Sequence, residues 1–400
     1  MQLTKEEKAM LDGAQGRATQ KSMEILTTLG RIYDAERFIP VTSVQIAGVS
    51  YANLGEAGLA FLDEMADGDG RARVLTTLNP AGMDMENWQN LGISAEFAEN
   101  QMRVLDAFAR MNVITTATCT PYLIGNTPHF GERIAWAESS AVCYANSVLG
   151  ARSNREGGPS ALAASLTGLT PEYGYHLDAY RQPTLKVNIE GLQGENTDFG
   201  ALGKVLGEKL EAISGRRVPY LWGIEAASVE NLKSFCASVA TYGGVTLFHM
   251  QGITPEAGQM LPPDEQITIT AAEIHLARES MIDATSDEID FVSLGCPHLS
   301  IKEIARIAEL LAEKTVTKEF WITTARPTKE IADRMGYTAV IEAAGAKFAA
   351  DTCCVVAPIK GRFNALATDS AKACYYAYSK NKFKTALVPF DEVVQIALQD

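Results

Sequence analysis

Short apolar runs alternate with amphipathic stretches along most of the chain, and this alternation predicts strands that are each followed by a helix. The strand-like runs are rich in β-branched residues, and the helical stretches repeat their apolar residues every three to four positions. The clearest predicted strands are 74–78, 112–116, 244–248 and 291–294, and the clearest predicted helices are 19–34, 95–111, 301–314 and 329–335. This order is typical of α/β proteins with mainly parallel sheets flanked by helices.

One strand-loop-helix unit can be placed in detail near the end of the chain. Residues 290–294 predict a strand, 295–298 predict a loop, and Ser300 with Glu303 fits a capping box at the start of the next helix. Ligands of open α/β sheets bind at the carboxyl ends of the strands. The loop is therefore a candidate binding segment.

The length of the chain indicates more than one domain, since a domain has about 150 residues on average. No repeat or low-complexity segment is visible, and no long linker marks the boundaries. We expect an N-terminal α/β region at 1–110, a central α/β domain at 111–285 and a C-terminal α/β domain at 286–400.

Composition and charge exclude several classes of function. The chain has 35 basic and 49 acidic residues and a formal net charge of −14, which argues against binding to nucleic acid or to an anionic membrane. No apolar run approaches the length of a membrane span, and the first residues indicate a polar helix rather than a signal peptide. The seven cysteines, an odd number, fit reduced thiols better than a disulfide framework. We therefore expect a cytoplasmic protein.

Three cysteines lie in polar contexts that differ from those of the other four. Cys119 is in Thr-Cys-Thr-Pro, Cys296 in Gly-Cys-Pro-His and Cys353 in Asp-Thr-Cys-Cys. The remaining cysteines lie mostly in apolar helical stretches, where a free cysteine is usually a small core residue. Soft thiolates suit zinc or iron–sulfur chemistry. The context leaves open whether the three share a metal site or are separate buried thiols.

A shared iron–sulfur site with three cysteines would have a chemical consequence. A 4Fe–4S cluster normally has four cysteine ligands, so three leave one iron open. An open iron is a Lewis acid that can bind the hydroxyl and the carboxylate of a hydroxy acid and take the charge of departing hydroxide. Such a site favours a lyase over an electron carrier.

Several polar segments are candidate substrate-binding loops. Guanidinium groups match carboxylate and phosphate in bidentate fashion, although loops rich in Arg, Asn and Gly are often only solvated surface. The candidate substrate-binding residues are Gly48, Ser50, Asn79, Ser139, Ser140, Arg152, Asn154 and Arg155. His298, two residues after Cys296, is a candidate for a position beside the metal site rather than for a metal ligand.

Taken in order, these motifs resemble the large subunit of the aconitase X family. The matching segments are Gly-Val-Ser-Tyr-x-Asn-Leu-Gly-Glu from Gly48, Asn-Pro-x-Gly-Met-Asp from Asn79, Thr-Cys-Thr-Pro-Tyr from Thr118, Ala-Asn-Ser-Val-Leu-Gly-Ala-Arg from Ala145, Asn-Arg-Glu-Gly-Gly from Asn154, Gly-Cys-Pro-His from Gly295 and Asp-Thr-Cys from Asp351. The resemblance implies an aconitase-like multi-domain architecture and an iron–sulfur hydro-lyase. It also implies that Cys119, Cys296 and Cys353 carry the cluster, most simply a 4Fe–4S cluster.

The resemblance further implies a substrate and a partner. Family members dehydrate mevalonate 5-phosphate to trans-anhydromevalonate 5-phosphate, or dehydrate cis-3-hydroxy-L-proline, the latter often as fused chains. This chain ends at Asp400 without the swivelling domain of aconitases, which two-subunit members supply as a small subunit. We therefore expect the phosphorylated substrate and a small subunit that carries the general base, as a serine of the swivelling domain does in aconitases.

Two functions from other classes stay open at this point. The first is a non-catalytic iron–sulfur or zinc-binding protein, which would have no open coordination position. The second is an enzyme with a cysteine nucleophile, which would need no metal.

Overall fold

The computed structural model describes residues 1–213 and 215–399. Its strands are β1 Phe38–Pro40, β2 Ser43–Ile46, β3 Leu75–Leu78, β4 Ala135–Trp136, β5 Leu169–Pro171, β6 Leu185–Glu190, β7 Pro219–Trp222, β8 His249–Met250, β9 Gln266–Thr270, β10 Phe291–Leu299, β11 Glu319–Thr324, β12 Lys347–Ala350, β13 Ala365–Thr368 and β14 Lys384–Leu387. Its α-helices are α1 Lys5–Leu11, α2 Arg17–Ile32, α3 Tyr51–Asp67, α4 Ala95–Arg110, α5 Ser139–Ser147, α6 Gly158–Thr167, α7 Asp178–Arg181, α8 Asn196–Glu211, α9 Val229–Gly243, α10 Ala271–Glu279, α11 Ile301–Leu311, α12 Arg326–Arg334, α13 Tyr337–Ala343, α14 Ala371–Tyr376 and α15 Phe390–Ala397. A π-helical turn, Ala377–Asn381, directly follows α14.

The strands form three parallel sheets and one short antiparallel pair. The first sheet has the strand order β3-β2-β4, the second β8-β7-β6-β9 and the third β12-β11-β10-β13-β14, while β1 pairs with β5. Neighbouring strands within the three larger sheets all run parallel. These sheets and their flanking helices confirm the α/β prediction. Among the described helices, none is both long and apolar enough to cross a membrane.

Each parallel sheet contributes to an apolar core of its own. Strands β2 and β3 pack with α3, α4 and α6, strands β6 to β9 with α5, α8 and α9, and strands β10 and β11 with α11 and α15. These core residues are buried, and burial of apolar surface is the main stabilising contribution in each layer. The predicted domain boundaries near residues 110 and 285 stay a prediction.

Most of the predicted elements are present. The four predicted helices are confirmed as α2, α4, α11 and α12, with small shifts at their ends, and the strands at 74–78 and 291–294 are confirmed within β3 and β10. The strand predicted at 112–116 is wrong, because Ile114 makes only an isolated bridge to Thr77. The strand predicted at 244–248 is also wrong, because β8 begins at His249.

The segment 244–248 is apolar for a reason other than sheet pairing. Val245, Leu247 and Phe248 are buried in the core without strand partners, so their apolar character reflects packing alone. A third difference concerns the predicted loop at 295–298, which lies within β10. The pairing of β10 with β11 shifts register between Leu294 and Leu299, so this part of the strand is irregular.

The carboxyl ends of the first and third sheets lie next to each other. The segment after β3 contacts the segment after β12 directly, since the Ala81 backbone N–H donates a 2.8 Å hydrogen bond to the Asp351 carbonyl. Residues that follow β2, β3 and β4 share one cavity with residues of β10 and residues that follow β12 and β13. The loops that follow these parallel strands thus lie around a common site.

A buried ion pair joins α7 to the segment that follows β8. The Arg181 Nη2 lies 2.6 Å from Glu256 Oε2, and their side chains are 1% and 6% exposed. Arg181 also donates hydrogen bonds to the carbonyls of Asn146 and Tyr175.

Replacing Arg181 by alanine should lower the free energy of unfolding by about 3–5 kcal/mol, because Glu256 would remain buried without a counter-charge. Equilibrium urea unfolding followed by circular dichroism measures this loss. The matched control is Arg17→Ala, which removes a pair with Glu64 in which both side chains are largely exposed, and which should change stability by about 1 kcal/mol or less. Equal losses in the two variants would contradict the interpretation.

Candidate active site

A cavity of about 320 Å³ lies where the carboxyl ends of the first and third sheets meet. Gly48, Asn79 and Ser139 reach it from the segments that follow β2, β3 and β4. Clefts at such strand ends are the usual binding sites of open α/β folds. The cavity is therefore the leading candidate for an active site.

All three predicted ligand cysteines line this cavity. Cys119 comes from the loop between α4 and β4, Cys296 from β10 and Cys353 from the segment after β12. Burial raises the pKa of the Cys119 and Cys296 thiols well above the usual value, and the neighbouring Cys353 raises both further. In the described part of the chain, no three His, Cys, Asp or Glu side chains have the arrangement that holds a metal ion. The three distant cysteines thus line one cavity, and their shared role as metal ligands stays a prediction.

His298 is buried beside two of the cysteines but does not line the cavity. Its Nε2 lies 3.0 Å from the Thr352 carbonyl oxygen and its Nδ1 lies 3.0 Å from the Thr118 hydroxyl. Because a carbonyl only accepts, Nε2 carries the proton, and Nδ1 accepts from Thr118. Burial lowers the pKa of His298 to about 4, so the ring is neutral near pH 7.

The hydrogen bonds of His298 connect the residues next to the cysteines. Thr118 precedes Cys119 and Thr352 precedes Cys353, so one imidazole ring bridges two of the three thiol-bearing segments. The His298 backbone N–H also donates to the Cys119 Sγ at 3.3 Å. This geometry makes His298 a positioning residue for the thiols.

The structure brings half of the eight candidate substrate-binding residues to the cavity. Those that line it are Gly48, Asn79, Ser139 and Arg155. The Oδ1 of Asn79 is buried and has no hydrogen-bond partner among the described residues, so it is an acceptor available to a ligand.

Two serines of the set lie behind the cavity wall. The Ser50 hydroxyl donates to the carbonyl oxygen of Val356, a residue that lines the cavity, at 3.2 Å. The Ser140 hydroxyl donates to Glu138 Oε2 at 2.6 Å. Both therefore support lining residues without reaching the cavity in this conformation.

Arg152 and Asn154 are not brought to the cavity. Arg152 forms an ion pair of 2.5 Å with Asp178, and Asn154 donates to the Tyr173 carbonyl at 3.0 Å. Successive residues of an extended segment point to opposite sides, which separates Arg155 from Arg152 and Asn154. The exposed Arg155 is thus the arginine of this loop that a cavity ligand can reach.

A buried ion pair across the cavity was not singled out from sequence. Lys372 Nζ lies 2.6 Å from Glu138 Oε1, with side chains 10% and 5% exposed. Glu138 Oε2 also accepts from the Ala141 backbone N–H, which caps α5. Burial alone would raise the pKa of Glu138, but Lys372 and these hydrogen bonds lower it to about 2.

Tyr376 and Lys380 also line the cavity and were missed. The Lys380 Nζ donates to the Val355 carbonyl at 2.8 Å, and burial lowers the pKa of Lys380. Lys372, Tyr376 and Lys380 follow one another at intervals of four residues, a helical signal that could have pointed to them.

A second group of polar side chains connects the segments that follow β3 and β12, both of which line the cavity. Arg326 Nη2 lies 2.6 Å from Asp84 Oδ1, and Arg326 Nε donates to Asp351 Oδ2 at 3.0 Å. Asp84 Oδ2 accepts from the Ala350 backbone N–H at 2.9 Å. Since Asp351 is two residues before Cys353, this group ties the loop after β3 to that cysteine.

Replacing Glu138 by glutamine should lower the free energy of unfolding by about 3–5 kcal/mol near pH 7, because Lys372 would be buried without its counter-charge. Because the pKa of Glu138 is lowered in the folded protein, its ion pair stabilises the fold fully above the usual pKa of a glutamate. This stabilisation is lost as the pH falls towards about 2. The difference between wild type and variant should therefore shrink as the pH falls from about 4.5 towards about 2.

Urea unfolding across that pH range measures the difference. The control is Glu208→Gln, which removes an exposed pair with Lys204 on α8 and should have a small effect at every pH. A difference for Glu138→Gln that is independent of pH would refute the charge-based explanation.

Comparison with known proteins covers nearly the whole chain. Family models described as Aconitase X first, second and third domain match residues 1–179, 183–279 and 289–399. The phosphomevalonate dehydratase large subunit of Methanothermobacter thermautotrophicus is 47% identical over 377 residues, which are 94% of this chain and 93% of that protein. The same-named protein of Methanocaldococcus jannaschii is 44% identical over 406 residues, 99% of this chain and all of that one.

A more distant relative and a solved structure complete the comparison. The cis-3-hydroxy-L-proline dehydratase of Hypocrea jecorina is 32% identical over 390 residues, 94% of this chain but 65% of that protein. The crystal structure of Thermococcus kodakaraensis aconitase X in its holo-form superposes with a TM-score of 0.92 at 42% identity, covering 99% of this chain and 100% of that one. These matches confirm the resemblance seen in the motifs: the chain belongs to the aconitase X family.

Proposed function

We propose that the chain is the large subunit of an iron–sulfur hydro-lyase that dehydrates (R)-mevalonate 5-phosphate to trans-anhydromevalonate 5-phosphate. The observation that carries the proposal is the meeting of Cys119, Cys296 and Cys353 with Asn79 and Arg155 in one cavity. The names of the relatives with 43–47% identity support the substrate.

The donor set of the cavity fits an iron–sulfur cluster. Each thiolate of such a cluster binds a different iron, so the sulfurs do not have to converge on one point as they do around a single ion. Cys119, Cys296 and Cys353 would hold the cluster, and three cysteines suit a 4Fe–4S cluster with one open iron. When bound, the cluster would supply a Lewis acid for the departing hydroxyl. The buried thiols would release their protons on metal binding.

The residues of the chain itself bind and orient the substrate in this proposal. Arg155 binds an anionic group, and the unpartnered Oδ1 of Asn79 accepts a hydrogen bond from a substrate hydroxyl. The Ser139 hydroxyl lies 3.3 Å from Glu138 Oε1 and can turn to a ligand oxygen. Gly48, with a φ of 82°, lets the backbone approach the ligand without a side chain.

The buried ion pair of Glu138 and Lys372 is unsuited to removing the substrate proton. Glu138 has a pKa of about 2 and is therefore a weak base. Burial lowers the pKa of Lys372, but Glu138 and the nearby thiols raise it by more. Lys372 therefore stays protonated. We therefore place the general base on a small subunit, in a heterodimer or a larger assembly, and the words "large subunit" in the relatives' names support such a partner. The free state of all seven cysteines supports a cytoplasmic location.

A second candidate substrate, cis-3-hydroxy-L-proline, is supported by the 32% identity to a dehydratase of that name. This substrate carries an ammonium group and no phosphate. Arg155, Lys372 and Lys380 make the cavity predominantly positive, which disfavours an ammonium group. The cavity chemistry therefore favours the phosphorylated hydroxy acid.

The chain should be purified without oxygen together with its small subunit, and both substrates followed by NMR. We expect loss of water from mevalonate 5-phosphate, with the ³¹P and vinyl proton signals of the product, and little change in cis-3-hydroxy-L-proline. An iron-loaded complex that leaves mevalonate 5-phosphate unchanged would overturn the proposed activity.

Replacing Cys119, Cys296 or Cys353 singly by alanine should remove bound iron and abolish dehydration together, because each thiolate holds one iron. Iron analysis and visible absorption report the cluster independently of activity. The matched control is Cys236→Ala in α9, which is buried away from the cavity and should keep both iron and activity. A fully iron-loaded and active variant at one of the three positions would remove that cysteine from the ligand set.

A further inference from the structure

One helical face supplies three of the polar residues in the cavity wall. Lys372, Tyr376 and Lys380 are spaced four residues apart and all line the cavity. Such spacing places side chains on one side of a helix. The helix changes from α14 to the π turn Ala377–Asn381 before Lys380, and π turns occur frequently at functional sites.

The π turn is attached to the segment that carries Cys353. Asn381 Nδ2 donates to the Cys354 carbonyl at 3.0 Å, and Lys380 Nζ donates to the Val355 carbonyl at 2.8 Å. These two bonds fix the position of Lys380 relative to the thiol-bearing loop. A lysine ammonium has three N–H donors, so the bond to Val355 leaves two for a ligand.

The charges of the cavity leave two cations for a ligand. Its charged side chains are Arg155, Lys372, Lys380 and Glu138, and Lys372 is paired with Glu138. Neither Arg155 nor Lys380 forms an ion pair with a carboxylate in the described ranges of the chain. Two unpaired cations within about 320 Å³ stand out in a chain of net charge −14.

A dianionic group matches this arrangement. Phosphate presents several acceptor oxygens, guanidinium can bind two of them at once, and a lysine ammonium binds as a point charge. A single carboxylate carries one negative charge and would neutralise only one of the two cations. The cavity therefore has the charge and the donors for a phosphate beside the three thiols.

We propose that Lys380 and Arg155 form a phosphate-recognition subsite, in which Lys380 determines the preference for a phosphorylated over an unphosphorylated hydroxy acid. The inference rests on the proposed function for the identity of the substrate. The binding of phosphate itself follows from the two cations and can be measured without turnover.

The test uses the anaerobic complex of the iron-loaded chain with its small subunit. Lys380→Met should raise the KM for mevalonate 5-phosphate by about tenfold or more, with a smaller change in kcat, because a charge-assisted contact to a non-reacting group is lost. The dissociation constant for inorganic phosphate, measured by isothermal titration calorimetry, should rise by a similar factor. Lys380→Arg keeps the charge and should recover most of the phosphate affinity.

Two further variants keep the test decisive. Lys382→Met changes an exposed lysine two residues away that does not line the cavity, and it should leave KM and phosphate binding at wild-type values. Arg155→Met tests the other half of the subsite and should weaken phosphate binding even if Lys380→Met folds poorly.

Failure of this inference is distinguishable from failure of the proposed function. If the wild-type complex dehydrates mevalonate 5-phosphate but Lys380→Met binds inorganic phosphate as tightly as wild type, the subsite is overturned and the activity stands. If the complex does not dehydrate that substrate but binds inorganic phosphate through Lys380, the subsite stands and the substrate assignment is lost. No phosphate binding by the wild-type complex would overturn the subsite.

Discussion

The buried ion pair between Glu138 and Lys372 is the contact on which the candidate site depends. Glu138 caps α5 next to the first sheet, and Lys372 lies on α14 next to the third. Burying both charges costs desolvation energy that only close pairing and further hydrogen bonds offset, and Ser140 and Ala141 supply those bonds. The pair therefore fixes the relative position of the two walls of the cavity, and it leaves the other cations of the site without a competing carboxylate.

Each of the three cavity cysteines lies in backbone that is irregular. Side-chain hydrogen bonds and ion pairs, rather than regular strand pairing, hold these segments in place. His298 bridges Thr118 and Thr352 through its two ring nitrogens, while Arg326 holds Asp351 and Asp84. These groups come from separate parts of the chain, so the geometry of the thiols exists only after the layers have packed. A site of this kind is positioned by rigid surroundings rather than by the loops that carry it.

The sequence was most informative where a local pattern has one physical cause. The spacing of apolar residues and the capping residues predicted the helices correctly. Polar sequence contexts distinguished the three cavity cysteines from the four that pack as small core residues. The apolar run at 244–248 misled because burial without pairing leaves the same pattern as a strand, and the β-branched run at 112–116 makes only one isolated bridge, at the exposed Ile114. The side of the loop on which Arg155 lies, and the proximity of Lys380 to Val355, arise from tertiary packing and have no local signature.

The arrangement of charge in the cavity bears on how a substrate with two different ends is oriented. The cavity is lined both by the thiols of Cys119, Cys296 and Cys353 and by the cations Arg155 and Lys380. In the proposed subsite, an anionic, non-reacting group bound by the two cations would restrict the substrate to few orientations. A substrate without that group would enter the same cavity with more orientational freedom. The helical face that carries Lys372 and Lys380 thus contributes both to the structure of the cavity, through the pair with Glu138, and to the proposed phosphate subsite.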